Sequence, residues 1–426
     1  MLQKKEKKRI VKLLNSDCCT FQNHILEMIF FSSAKKREDL YSEIKLNAFL
    51  KSKFMNSLYR GPFSHFDKIR YCYNPGLSDK EAIEVACDLI GLFSSKVDAY
   101  VALRKKYERY FLCGAYDEAI GILDCIDAEI CASLWSCGQR FLIRQLSQGL
   151  ESNKRELSNL SELVPHNFLV QAVLFFYSSM AETDISYENY QTEASKFLSG
   201  TESTLLGRYL TNKINFDAML QYQDIALVVQ IDSQCSIIDA YNSVEKYLPV
   251  CYKDEVCAGA LEPRLYTFGI GSSDLFGNLA AINTEEHESS LLQTDEHRNV
   301  YSIIENYTIG NYSEVLKLAE DYLPLHPTDL QVAALFCKAL ILSKSPFPDK
   351  IQFEYIKHIY SIYSMDANFR DAVLSLKQEA KKNHGLALGH KLFAFLIRKN
   401  PGLDSENLES GQHPYYTYLR YLDREP

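Results

Sequence analysis

Chain breakers are scarce in this sequence. Its 426 residues include 18 glycines and 12 prolines, about 7% together, against a usual share near 12%. Few breakers favour long helices joined by short connections. None of the 12 cysteines forms a CxxC pair, which excludes zinc ribbons and thioredoxin-type chemistry. Spread through apolar runs, they read as small reduced hydrophobes, and a cytoplasmic setting is expected. Runs of about 18 apolar residues are also missing, the nearest being the short Ile25–Phe31. No membrane contact is therefore expected. Histidines never take the HExxH spacing; His384 and His390, six apart, fall on different helix faces. Walker and nucleophile-elbow patterns are absent too, so no cofactor, metal or catalytic residue is expected.

What the chain does have is an apolar fraction of 46%, rich in tyrosine (28) and phenylalanine (23) beside one tryptophan, Trp135. Rings of this kind fill irregular gaps between helices while a tyrosine hydroxyl still reaches a polar partner. The net charge of −9 argues against phosphate-backbone binding over the whole surface. The charge is unevenly spread. Residues 1–70 hold 15 Lys+Arg against 7 Asp+Glu, and the remainder 31 against 48. A basic head precedes an acidic body.

Hydrophobic spacing divides the chain into four parts: a basic helical head (1–75), helical hairpins (76–214), an irregular insert or connection (215–296), and further hairpins with a C-terminal capping helix (297–426). Ser78 followed by Glu81 predicts a capping box opening a helix at Asp79. The spacing predicts helices over 79–93, 96–113, 116–126, 129–148, 151–163, 167–181 and 187–199. After the insert they resume over 297–309, 312–323, 328–343, 349–364, 368–382 and 385–399. Within the insert, Ile225–Ile231 is too short to separate a strand from a buried helical turn.

One phrase occurs twice. Tyr110–Leu123 contains Gly114, Tyr116 and Ala119; Ile309–Ala319 contains Gly310, Tyr312 and Val315. In each, a glycine closes one helix, an aromatic two residues later wedges against it, and a slender residue five beyond the glycine lets the second helix pack closely. With Pro327 seventeen residues after Gly310, the pattern resembles the tetratricopeptide repeat. Tyr107, Ile303 and Val315 stand where that family prefers small residues. The resemblance implies an all-α, tetratricopeptide-like α-solenoid of antiparallel helix pairs, with a concave groove for a protein or peptide partner. Transferred by offset, the groove residues are Arg104, Lys105, Glu108, His297, Tyr301, Ile304, Gln331 and Lys338.

Three fragments carry hints of chemistry. Arg60 and His65 match the Arg-x4-His spacing of HEPN ribonucleases, with Gly61-Pro62 inside the spacing to break the helix. Glu43-Ile-Lys45 lies in a stretch of helical period, without the strands that metal-dependent nucleases use. Gly269–Gly277 lacks the Gly-Lys-Ser/Thr ending of a phosphate loop. The function expected is therefore a non-catalytic interaction scaffold, adaptor or sensor subunit, and the resemblance implies a setting within a regulatory or bacterial defence assembly. The alternative is a nuclease-like effector whose basic head contacts nucleic acid through Lys35, Lys36 and Arg37 and the lysines before them, with the repeats as sensor.

Overall fold

A computed structural model describes residues 16–251 and 296–384, apart from Arg60, Met219, Gln221, Leu325 and residues 344–349. Among the described residues the regular structure is entirely helical, and no strand occurs. The head contributes α1 (Cys18–Phe30), α2 (Ala34–Leu46), α3 (Ala48–Ser57) and a 3-10 turn at Phe63–Lys68. The body follows with α4 (Asp79–Leu92), α5 (Ser94–Leu112), α6 (Tyr116–Glu129), α7 (Leu134–Gln148), α8 (Leu150–Glu162), α9 (Phe168–Ala181), α10 (Tyr187–Leu198) and α11 (Leu205–Lys213). Then come α12 (Ile225–Cys235) and α13 (Ile237–Cys251), and finally α14 (Glu296–Thr308), α15 (Tyr312–Tyr322), α16 (Leu330–Leu342), α17 (Lys350–Tyr363) and α18 (Ala367–His384).

Local chemistry sets the boundaries. The Ser78 hydroxyl accepts the Glu81 amide, and the Glu81 carboxylate accepts the Ser78 amide and hydroxyl in return, closing the anticipated capping box on α4. Asn167, Thr204 and Asp329 cap α9, α11 and α16 through side-chain oxygens. The duplicated phrase folds the same way both times. Gly114 and Gly310 sit at φ +75° and +82°, a region glycine enters without strain. At each, the glycine N–H donates three residues back and the next N–H five back, to Phe111 and Tyr110 in one copy and to Tyr307 and Asn306 in the other. This is the Schellman closure of a helix end. The wedge aromatics Tyr116 and Tyr312 lie 6.2 and 5.7 Å from Phe111 and Tyr307, ring centre to ring centre, and Ala119 and Val315 are fully buried.

The segment expected to be irregular is helical over residues 225–251, and most of residues 225–248 are buried. Every residue of α12 is buried. This helix and α13 form a hairpin packed on α4, with α1 and α11 also against α12, and α5 and α7 against α13. Burial of Ile225, Leu227, Val228, Val229 and Ile231 contributes on the order of 10 kcal/mol before chain entropy, at ~1.5–3 kcal/mol per side chain. Helices therefore touch elements far away in sequence as well as their neighbours. Residues 252–295, with the Gly269–Gly277 fragment, lie outside the described residues, as do the expected helix over 385–399 and the tail.

Polar side chains of α12 fasten the head to the body. Gln234 accepts the Cys72 amide at 2.7 Å and donates to the Cys72 carbonyl at 2.7 Å; Gln230 does the same with Asn74 at 2.8 and 3.2 Å. Four helical residues rise ~6.0 Å, and two extended residues span ~6.6 Å, so glutamines one turn apart match alternate residues of the extended chain. Together they imitate a strand partner. Gln22 and Tyr59 complete the seam by donating to the Gln234 and Ser233 carbonyls. Replacing Gln234 with leucine strands the Cys72 amide and carbonyl. It is expected to destabilise the chain by ~2–6 kcal/mol at ~1–3 kcal/mol per unsatisfied group, measured by urea denaturation. The Cys72 and Asn74 amides should lose protection in hydrogen exchange ahead of the body.

Candidate functional site

Polar residues in a buried helix require partners, and Asp232 of α12 and Asp239 of α13 find theirs beside one cavity. Asp232 of α12 accepts Tyr209 at 2.7 Å and Lys213 at 2.8 Å from α11, and also the Ser243 hydroxyl from α13. One carboxylate thus ties three helices together. Burial alone would pull the Lys213 ammonium down, but Asp232 together with Tyr177 and Asp239 outweighs it and holds it well above the usual lysine value. Asp239 of α13 reaches across to the start of α7, accepting the Leu134 and Trp135 amides at 3.0 Å each, and accepts the Ser236 hydroxyl at 2.7 Å. It caps a neighbouring helix with negative charge at the positive end of the dipole.

These helices line an inner cavity of about 280 Å³ that is partly open to solvent. Trp135, Tyr177, Tyr247 and Tyr363 supply aromatic walls, and Asn212, Asn242 and Lys246 supply polar edges. Adjoining it through Trp135, Asn242, Lys246, Leu330 and Asp366, which line both, is an outer cleft of about 390 Å³ between α5, α13, α14, α15, α16 and the start of α18. Its C-terminal wall is held by α18 and the turn before it. Asn215 donates to Asp366 at 2.7 Å, Asn368 to the Tyr222 hydroxyl at 3.1 Å, and Arg370 to Glu188 at 2.8 Å while lying over the Tyr187 ring.

The structure brings Arg104, Lys105, Glu108 and Gln331 onto this one cleft, although they come from opposite halves of the chain. Arg104 is engaged within the protein, bonding Glu108 at 2.9 Å, Glu245 at 2.7 Å and Asn242 at 3.2 Å. It shapes the wall with its charge already matched. Ile304 and Lys338 are half-buried and do not line the cleft. The side chains of His297 and Tyr301 lie outside the described residues. The cleft also gathers residues not singled out from the sequence. Asp329 accepts the Tyr322 hydroxyl at 3.0 Å and caps α16 through Val332, and burial raises its carboxyl above the usual range.

Arg60 lies outside the described residues, and its sequence companion His65 sits in the 3-10 turn with Nδ1 3.1 Å from the Cys19 thiol. Burial and then Lys68 lower the His65 pKa, so the ring favours its neutral form. Among the described residues no group of three or more histidines, cysteines or acids is placed to hold a metal ion, and no helix is long and apolar enough to cross a membrane. No protein family, curated protein or solved structure matches this chain. The fold defines an all-α protein.

Burial, together with Asp232 nearby, raises the Asp239 carboxyl to about 6 against the opposing pull of Lys213. A carboxyl raised on folding keeps its proton longer in the folded state. Its stability contribution is therefore full below the unfolded value near 3.8 and is lost as pH climbs through 6. The loss is on the order of 3 kcal/mol, at ~1.4 kcal/mol per pKa unit. Urea denaturation of the native chain and of Asp239→Asn between pH 4 and 7 checks this: the difference between the two should fall along that limb, and equal slopes would remove Asp239 as the titrating group.

Proposed function

We propose that this chain is a non-catalytic interaction protein of tetratricopeptide-like helical hairpins. It serves as a scaffold, adaptor or sensor subunit that holds a segment of a partner protein in the outer cleft. The observation carrying this reading is that Arg104, Lys105, Glu108 and Gln331, taken from repeat offsets in two separate stretches, line the same cleft. Two copies of a Schellman-closed hairpin with Ala119 and Val315 buried at the matching position support the repeat character. The cleft offers Lys105, Gln331 and Thr328 beside Val101, Val300 and Leu330. Apolar floor with a polar rim is the composition of a peptide-binding groove.

The nucleic-acid reading draws on the head, where Lys35 and Lys36 are exposed. Arg37 is 7% exposed and donates to the Ser32 carbonyl at 2.7 Å, which takes it out of the basic surface. Because residues 72 and 74 are bonded to α12, deleting the head would uncover the core. Charge reversal in the full chain is the cleaner discriminator. Capture of co-purifying proteins by the native chain and by a Lys105→Glu, Gln331→Ala variant is the decisive comparison. A specific partner should be recovered with the native chain and reduced about tenfold or more by the variant, a loss of ~1.4 kcal/mol or more. Undiminished recovery by the cleft variant, or salt-dependent binding to nucleic acid that disappears in Lys35→Glu, Lys36→Glu, would overturn the reading.

A further inference from the structure

The inner cavity contains three carboxylates, yet none of them is left for a ligand. Asp232 is taken by Tyr209, Lys213 and Ser243, Asp239 by two backbone amides and Ser236, and Asp366 by Asn215 and the Phe369 amide. What remains is of the opposite character. Asn242 Oδ1 accepts from Tyr100 and from Arg104, which fixes its amide orientation, and its buried Nδ2 finds no protein partner. One turn further along α13, the Lys246 ammonium makes no hydrogen bond among the described residues and rests 5.0 Å from the Tyr247 ring centre. Asn212, 1% exposed and lining the same cavity, spends its Nδ2 on the Arg208 carbonyl while its buried Oδ1 finds no protein partner.

A buried cavity edge with a cation and an amide donor side by side, an amide acceptor lining the same cavity, and aromatic walls describes a complementary molecule. We propose that the inner cavity binds a small α-amino or α-hydroxy acid with an apolar or aromatic side chain. Its carboxylate would sit against Lys246 and Asn242, its amino or hydroxyl group would donate to Asn212, and its side chain would lie among Trp135, Tyr177 and Met180. The volume of about 280 Å³ falls near the ~300 Å³ lower bound of small-molecule sites, which suits a ligand of amino-acid size better than a nucleotide. A site specified by buried polar groups discriminates strongly, because an analogue lacking one group leaves its protein counterpart unpaired.

The inference is separable from the partner reading, since Asn212 lines the cavity and not the cleft, and Lys105 and Gln331 line the cleft and not the cavity. The test is calorimetric titration and thermal denaturation of the full chain with L-amino acids, their α-hydroxy analogues, the matching decarboxylated amines and inorganic phosphate at millimolar concentrations. Saturable one-to-one binding is expected for at least one apolar α-amino or α-hydroxy acid and not for its amine. Lys246→Met should weaken that binding about tenfold or more, as expected for loss of a charged hydrogen bond. Asn212→Leu should weaken it while raising the melting temperature of the unliganded chain, because it removes a buried acceptor that folding leaves unpaired. Silence across the panel, binding of phosphate alone, or affinity unchanged in both variants would overturn the proposal and would indicate that the polar edges are satisfied by ordered water.

Discussion

The structure depends on burying one helix, α12, on every side while it still carries glutamine, aspartate and serine. Its apolar residues supply the driving force. Its glutamines and aspartate would cancel much of that if left unmatched, so each of these three dictates where a neighbour must lie. Gln230 and Gln234 fix the extended chain of residues 72–74, and Asp232 fixes α11 and α13. Head and body are in this way arranged about the α12–α13 hairpin.

The same constraint explains why the cavity and cleft sit where they do. Helix α13 has one face against α4 and α5 and turns its Asp239, Asn242, Ser243, Lys246 and Tyr247 stripe toward the cavity. A buried ion pair such as Lys213–Asp232 is a weak route to stability, since well-packed apolar residues would serve as well or better. Its worth lies in specification, because only one arrangement of α11, α12 and α13 satisfies Asp232. That arrangement places Asn212 and Asn242, the sequence neighbours of Lys213 and Ser243, on the wall of one cavity. Aromatic packing supports it from below, where Trp135 meets Tyr100 and Tyr107 edge to face at 5.2 and 5.6 Å.

How much of this was legible in the chain depended on whether a helix has two unlike faces. Helices α4 to α6, with one apolar stripe each, were readable to within a few residues from periodicity, capping box and glycine closure. Helix α12 was not, because a helix buried on all sides has no single apolar stripe to detect, so Ile225–Ile231 read equally as a strand. Helix α11, only nine residues long, went unmarked. The groove positions Arg104, Lys105, Glu108 and Gln331 were reachable because repeat offsets carry spatial information. Asn212, Asp232, Asp239 and Lys246 were not, since their partners are brought together only by tertiary packing. A faint signal existed in Asp239, Asn242, Ser243 and Lys246, a polar series at helical spacing inside an apolar stretch.

Native-state hydrogen exchange across the whole chain tests the central claim most directly. If the α12–α13 hairpin is the core about which the rest packs, amides of residues 226–248 should be among the slowest to exchange, opening only with global unfolding. The glycine-closed hairpin of α5 and α6 should open at lower free energy. Rapid exchange of residues 226–248 while α5 and α6 stay protected would contradict the account and leave the hairpins as the true scaffold.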